Sequence, residues 1–275
     1  MTDWQGYIEV PGGRLYAECD GAGPALVLIH AGVAHLRMWD EQVAALKDAY
    51  QVIRYDTRGF GKTRVEDVQY SNRADVAAVM DHFGADKAHV AGLSRGAQIA
   101  LDYAVERPER VKSLTWVAGG VRGLQLPDDP RDEAVWHKTM ELRANKDWDT
   151  IVELETQLWT DGPDQSPTRV DPEVRRRMIE WNLENYRAEP PDLEQVIAPE
   201  QEAATALDRM TMPVLAMWGT FDVTSTPAAG EWLVANLPGI KSHVFEGVAH
   251  MVNLERPAEF NRLLREFLDE VERTS

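Results

Sequence analysis

Gly92-Leu93-Ser94-Arg95-Gly96 sets a hydroxyl between two glycines, after an apolar run and before a helical pattern. A serine at such a strand-to-helix turn stands clear of its neighbours and can attack a carbonyl, provided a base takes its proton. Gly92 and Gly96 remove the Cβ atoms that would collide in so sharp a turn, and Ala97 keeps the helix close. The N-terminus of that helix favours negative charge as it develops. An acid and a base follow downstream, each on a loop after an apolar run: Asp222 in Gly219-Thr220-Phe221-Asp222, and His250 in Gly247-Val248-Ala249-His250. Together they suit acyl transfer: Ser94 as nucleophile, His250 as base, Asp222 holding the imidazole.

These residues need a frame that brings three loops to one edge. Arg14–Cys19 alternates polar and apolar residues, as a half-buried antiparallel strand does. Ala25–Ile29, Val52–Tyr55, His89–Leu93, Leu114–Val117, Pro213–Gly219 and Ser242–Phe245 read as further strands, most of them apolar enough to be covered on both faces. Helical patterns fall between them: Asp40–Leu46, Asn72–Phe83, a third through Ala97 and Ala104 that stops before Pro108, Ala228–Leu237 and Pro257–Val271. Such alternation predicts an α/β protein, a mostly parallel eight-stranded sheet flanked by helices. From residue 122 to 205 no strand pattern is visible. This stretch carries 20 acidic against 10 basic residues, and helical spacing recurs between its prolines. It reads as an inserted helical cap, with 1–121 and 206–275 forming the core.

Composition narrows the functions. The 275 residues are 44% hydrophobic, enough to fill a large core, so disorder is excluded for most of the chain. A net charge of −17 repels phosphates and anionic lipid heads, so neither nucleic acid nor membrane is expected as a partner. The single cysteine, Cys19, permits no internal disulfide and no cysteine cluster for zinc. No secretory leader and no membrane-length apolar run are evident, which points to a cytoplasmic protein.

The motifs, in this order, resemble the α/β-hydrolase fold family over essentially the whole chain. Ile29-His30-Ala31-Gly32 resembles its His-Gly oxyanion segment, and Asp56-Thr57-Arg58-Gly59-Phe60-Gly61 its D-x-R-G-x-G loop. Gly92–Gly96 resembles the nucleophile elbow, and Glu255-Arg256-Pro257 the start of the last helix. The resemblance implies a Ser94–His250–Asp222 triad with oxyanion donors at the backbone N–H of Arg95 and Gly32. Ala31 stands where the family usually has glycine, which keeps Val33 open as the alternative donor. Relatives that displace halide or open epoxides carry Asp at the elbow, so Ser94 favours acyl transfer. No metal and no cofactor is implied.

The expected substrate is a small or medium acyl ester or a lactone. Carbon–carbon bond hydrolysis, enol-lactone hydrolysis and slow-turnover ligand binding stand as alternatives, and a homodimer stays open. Candidate wall residues are His30, Met38, Trp39, Trp136, Trp159, Trp181 and Met251. Arg58 in its tight turn is expected to anchor loops through carbonyls and a carboxylate. Arg95 has two readings: an ion pair with an acidic neighbour, or attraction of an anionic substrate group.

Overall fold

The computed structural model describes residues 3–126, 130–188 and 195–274. The strands are β1 (Trp4–Val10), β2 (Gly13–Asp20), β3 (Ala25–Ile29), β4 (Gln51–Tyr55), β5 (Arg64–Val65), β6 (Ala88–Leu93), β7 (Val111–Val117), β8 (Val214–Gly219) and β9 (Lys241–Phe245). Eight run edge to edge in the order β1-β2-β4-β3-β6-β7-β8-β9, and the two-residue β5 pairs with β2. The β1–β2 and β2–β4 pairings are antiparallel, and every later pair on the path is parallel. This is the mostly parallel sheet that the sequence predicts. Strands β3, β6 and β8 are buried at every position, as apolar runs covered on both faces must be.

The core helices are α1 (Asp40–Leu46), α2 (Asn72–His82), α3 (Arg95–Glu106), α7 (Ser225–Asn236), α8 (Val252–Glu255) and α9 (Pro257–Thr274). Helix α3 lies on β6 and β7, α7 on β8, and α1 packs on α9. Helix α3 buries Ala97, Ala100 and Ala104, whose small side chains let its backbone approach the sheet. Helix α9 buries Phe260, Leu264, Phe267, Leu268 and Val271, the i, i+4, i+7 pattern of a one-faced helix.

Between β7 and β8 the chain leaves the sheet for α4 (Pro130–Ala144), α5 (Trp148–Thr156) and α6 (Pro172–Arg187). A π-helical turn, Gln157–Asp161, continues α5. These helices share a small apolar cluster of Leu142, Ile151, Val152 and Tyr186, with Trp148 stacked on Tyr186 at 5.3 Å. Helix α6 also places Val174, Met178 and Trp181 in the main core. Asn185 of α6 bridges two loops of the sheet edge: its Nδ2 donates to Ala34 O (2.9 Å), and its Oδ1 accepts from Gly61 N (3.2 Å). No helix of the described residues is long and apolar enough to cross a membrane.

Candidate active site

Strand β6 ends at Leu93 and α3 begins at Arg95, so Ser94 alone makes the turn. Its backbone sits at φ 58°, ψ −120°, a region that costs a side-chain-bearing residue roughly 1–3 kcal/mol. Two close approaches make the turn possible. A Cβ on Gly92 would lie 2.1 Å from Gly96 O, and one on Gly96 would lie 2.1 Å from Ile29 O. Both clashes are with backbone, so neither could be relieved by a side-chain rotation. A hydrogen bond from Ser94 N to Val117 O (2.8 Å) ties the turn to β7.

Asp222 follows β8 and His250 follows β9, on neighbouring loops. Asp222 Oδ2 accepts from His250 Nδ1 at 2.6 Å, and both side chains are buried. Its other oxygen, Oδ1, accepts from Val223 N at 2.7 Å. The carboxylate is therefore fixed at both oxygens, and the imidazole proton is fixed on Nδ1. His250 Nε2 is buried and has no hydrogen-bond partner among the described residues. Ser94 and His250 line one cavity of about 630 Å³. No hydrogen bond joins Ser94 to His250, and such bonds are often long until substrate is in place.

The oxyanion segment follows β3. Met38 is fully buried, and its Sδ accepts the Ala31 N–H at 3.2 Å. That occupies Ala31 and leaves Gly32 and Val33, both on the cavity wall, as the candidate donors of this loop. Arg95 is the first residue of α3, so its N–H has no intrahelical acceptor. Gly32 faces Arg95: a Cβ placed on it would lie 3.5 Å from Arg95 Cδ.

The structure separates the expected wall residues. Trp159, on the π-helical turn, lines the cavity with its ring 4.7 Å from that of His250. Trp39 does not line it. It is fully buried and packs on Phe260, because the turn carrying it faces α9. Met251 is fully buried beside His250 rather than at the cavity. Met38 serves the oxyanion segment as described. Trp181 packs on His35 at 5.4 Å and under Arg177, away from the cavity. The side chain of Trp136 lies outside the described residues.

His30 is a core histidine and not a substrate contact. Its Nδ1–H donates to Ala31 O (2.7 Å), and its Nε2 accepts from Thr57 N (2.9 Å). Protonation of Nε2 would set two donors face to face. Burial pushes the ring from 6.5 down to about 3, with Arg95 and His35 adding to the fall. Below pH 6.5 the unfolded chain binds a proton that the folded chain refuses, so this ring's contribution to stability falls as pH drops. The stability gap between wild type and His30→Asn should shrink by about 1.6 kcal/mol from pH 6.5 to 5, the slope rising toward ~1.4 kcal/mol per pH unit as the unfolded ring becomes fully protonated. Urea unfolding at the two pH values measures it, and a constant gap would contradict the assignment.

Arg58 anchors loops as its turn predicts. It pairs with Asp75 at 2.8 Å and donates to Pro11 O and Gly12 O. Arg95 departs from its first reading: among the described residues it makes no ion pair. Its guanidinium donates to Thr57 Oγ1 (2.6 Å) and Asn72 Oδ1 (3.3 Å), and lies over the Phe60 ring.

One cation escaped the sequence reading. Arg169, in the turn before α6, holds both oxygens of Glu255 (2.5 and 3.0 Å), Gly247 O, Asp161 O and Thr160 O. Glu255 Oε1 also accepts from Ala249 N at 2.8 Å. The loop carrying His250 is thus fastened to the π-helical turn carrying Trp159. Arg169 sits among prolines and acidic residues with no spacing signal. Glu255 is visible in the sequence only through its motif.

The family model of the alpha/beta hydrolase fold matches residues 24–257. The 2-hydroxy-6-oxononadienedioate/2-hydroxy-6-oxononatrienedioate hydrolase of Comamonas testosteroni is 27% identical over 270 residues, covering 93% of this chain and 91% of that protein. The 3-oxoadipate enol-lactonase 1 of Acinetobacter baylyi is 26% identical over 253 residues, covering 90% of each. Among solved structures, a thermophilic esterase from Thermogutta terrifontis aligns with a TM-score of 0.80 at 25% identity, over 98% of this chain and 99% of that one. The motifs, the sheet order and these likenesses agree: this chain belongs to the α/β-hydrolase fold family.

Proposed function

We propose that the protein is a serine hydrolase of carboxylic esters and lactones. The observation that carries this reading is one cavity lined by both Ser94, in its strained turn, and His250, whose Nδ1 is held by Asp222 and whose Nε2 is free to accept. Ser94 Oγ attacks the carbonyl carbon while His250 Nε2 takes its proton. The N–H groups of Arg95 and Gly32 receive the oxyanion. His250 returns the proton to the leaving alcohol, which departs and leaves an acyl-Ser94 ester. Water, deprotonated by His250, then releases the acid. Asp222 keeps Nδ1 protonated and offsets the charge of the imidazolium.

Residues 122–205 act as a cap over this edge. Leu124, Leu126 and Trp159 supply apolar wall, which suits an acyl chain. A lactone is the second reading, favoured by the enol-lactonase relative. Cleavage of p-nitrophenyl esters of graded acyl length tests the proposal. Turnover with a burst of one p-nitrophenolate per chain is expected where deacylation is slow. A folded protein that cleaves no member of the series, nor a simple lactone, would overturn it.

A further inference from the structure

A second cavity, of about 340 Å³, adjoins the first, and Arg95 and Gln98 of α3 line both. Three guanidinium groups reach this second wall. Arg73 is neutralised by Glu106 at 2.6 Å, and Arg122 by Asp102 at 3.1 Å. Arg95 has no counter-ion among the described residues: its partners there, Thr57, Asn72, the Tyr70 hydroxyl and the Phe60 ring, are all neutral. The carboxylate whose field it feels, Asp75, is already held by both oxygens on Arg58. A guanidinium has five N–H donors, so capacity remains after these contacts. In a chain of net charge −17, a partly buried cation without a counter-ion among the described residues stands out.

We propose that Arg95 anchors a subsite for a carboxylate carried on the substrate. The scissile group lies at Ser94 in the larger cavity, and the charged arm passes Gln98 into the smaller one. This rests on the hydrolase reading above. The charge balance selects the ligand. Among the described residues, two matched pairs and one guanidinium without a counter-ion leave a single positive charge, which fits a carboxylate better than a phosphate monoester carrying about −1.5 to −2. Such an arm supplies the charge-assisted hydrogen bonds that Thr57 and Asn72 cannot.

Binding and turnover test this separately. In Ser94→Ala, calorimetric titration compares adipate with its neutral diamide. Adipate should bind about 10- to 100-fold tighter, the range of a charge-assisted contact. The preference should vanish in Ser94→Ala/Arg95→Met. Asn72→Asp gives a second route if that variant does not fold, because it sets a carboxylate against the same guanidinium; the same loss is expected. Equal binding of the two ligands, no binding of adipate, or a preference that survives both substitutions overturns the subsite. In the kinetic arm, the kcat/KM ratio of mono-p-nitrophenyl adipate to p-nitrophenyl hexanoate should fall about 10-fold or more in Arg95→Met. Turnover of both esters with an unchanged ratio overturns the subsite alone. If the wild type cleaves neither ester, the hydrolase reading fails, and the binding comparison still decides the subsite.

Discussion

Ser94→Ala should lower kcat on a p-nitrophenyl ester by roughly 10⁶-fold, the scale on which removal of a triad nucleophile acts. The fold should survive. Among the described residues the Ser94 side chain makes no hydrogen bond, and alanine meets the same backbone demand at φ 58°. The tie from residue 94 N to Val117 O involves only main chain and is retained. The unfolding free energy should therefore shift by no more than about 0.5 kcal/mol, as for substitutions that create no cavity and strand no polar group. Steady-state rates with matched circular dichroism measure both quantities. More than 1% residual activity in a folded variant would place the nucleophile elsewhere.

Asp222→Asn should cost roughly 10⁴-fold in kcat, through the tautomer and not through charge alone. Val223 N donates to Oδ1, so an asparagine would turn its oxygen to that N–H. Its NH₂ would then face His250 Nδ1 at the position where Oδ2 now accepts. A donor there forces Nδ1 to accept and puts the imidazole proton on Nε2, the atom that in the proposed mechanism takes the proton of Ser94. Binding should change little, because Asp222 is not on the cavity wall. Kinetics against the same ester check this, and a loss below 10-fold would mean that another carboxylate orients the base.

The sheet was legible where strands are covered on both faces. Ala25–Ile29 carries no polar residue to blur its ends, and the helix Asp40–Leu46 also begins and ends as its pattern indicates. Strand β1 was invisible for the opposite reason. Trp4–Val10 is an edge strand whose residues are mostly half-exposed or exposed, and Gly6 and the adjacent Tyr7-Ile8 pair break the polar–apolar alternation that would mark it. The site divides in the same way. Ser94, Asp222 and His250 follow strands, and strand ends fix where a residue sits. The wall does not follow from sequence position. Trp39 lies close after the oxyanion segment, yet the turn at Leu36–Trp39 points it at Phe260. Trp159 reaches His250 because α5 ends in a π-helical turn, a local widening that residue spacing does not encode. The reading of Arg95 as an ion pair relied on an overall acidic excess, but Asp75, the carboxylate whose field it feels, is already held by Arg58.

The clamp of Arg169 on Glu255 bears on exchanging parts between enzymes. The stretch between β7 and β8 looks like a detachable module, joined to the sheet at two points. Besides these chain connections and the Asn185 bridge, it has a further attachment, because the guanidinium of Arg169 reaches the loop of His250. A graft that replaced the stretch wholesale would leave the Glu255 carboxylate, only 7% exposed, without its cation. Breaking such a pair from one side costs about 3–5 kcal/mol, and here the cost falls on the residue that also holds Ala249 N, next to His250. The unit of exchange is therefore the helical stretch together with residues 247–255, which have to be transplanted as one piece.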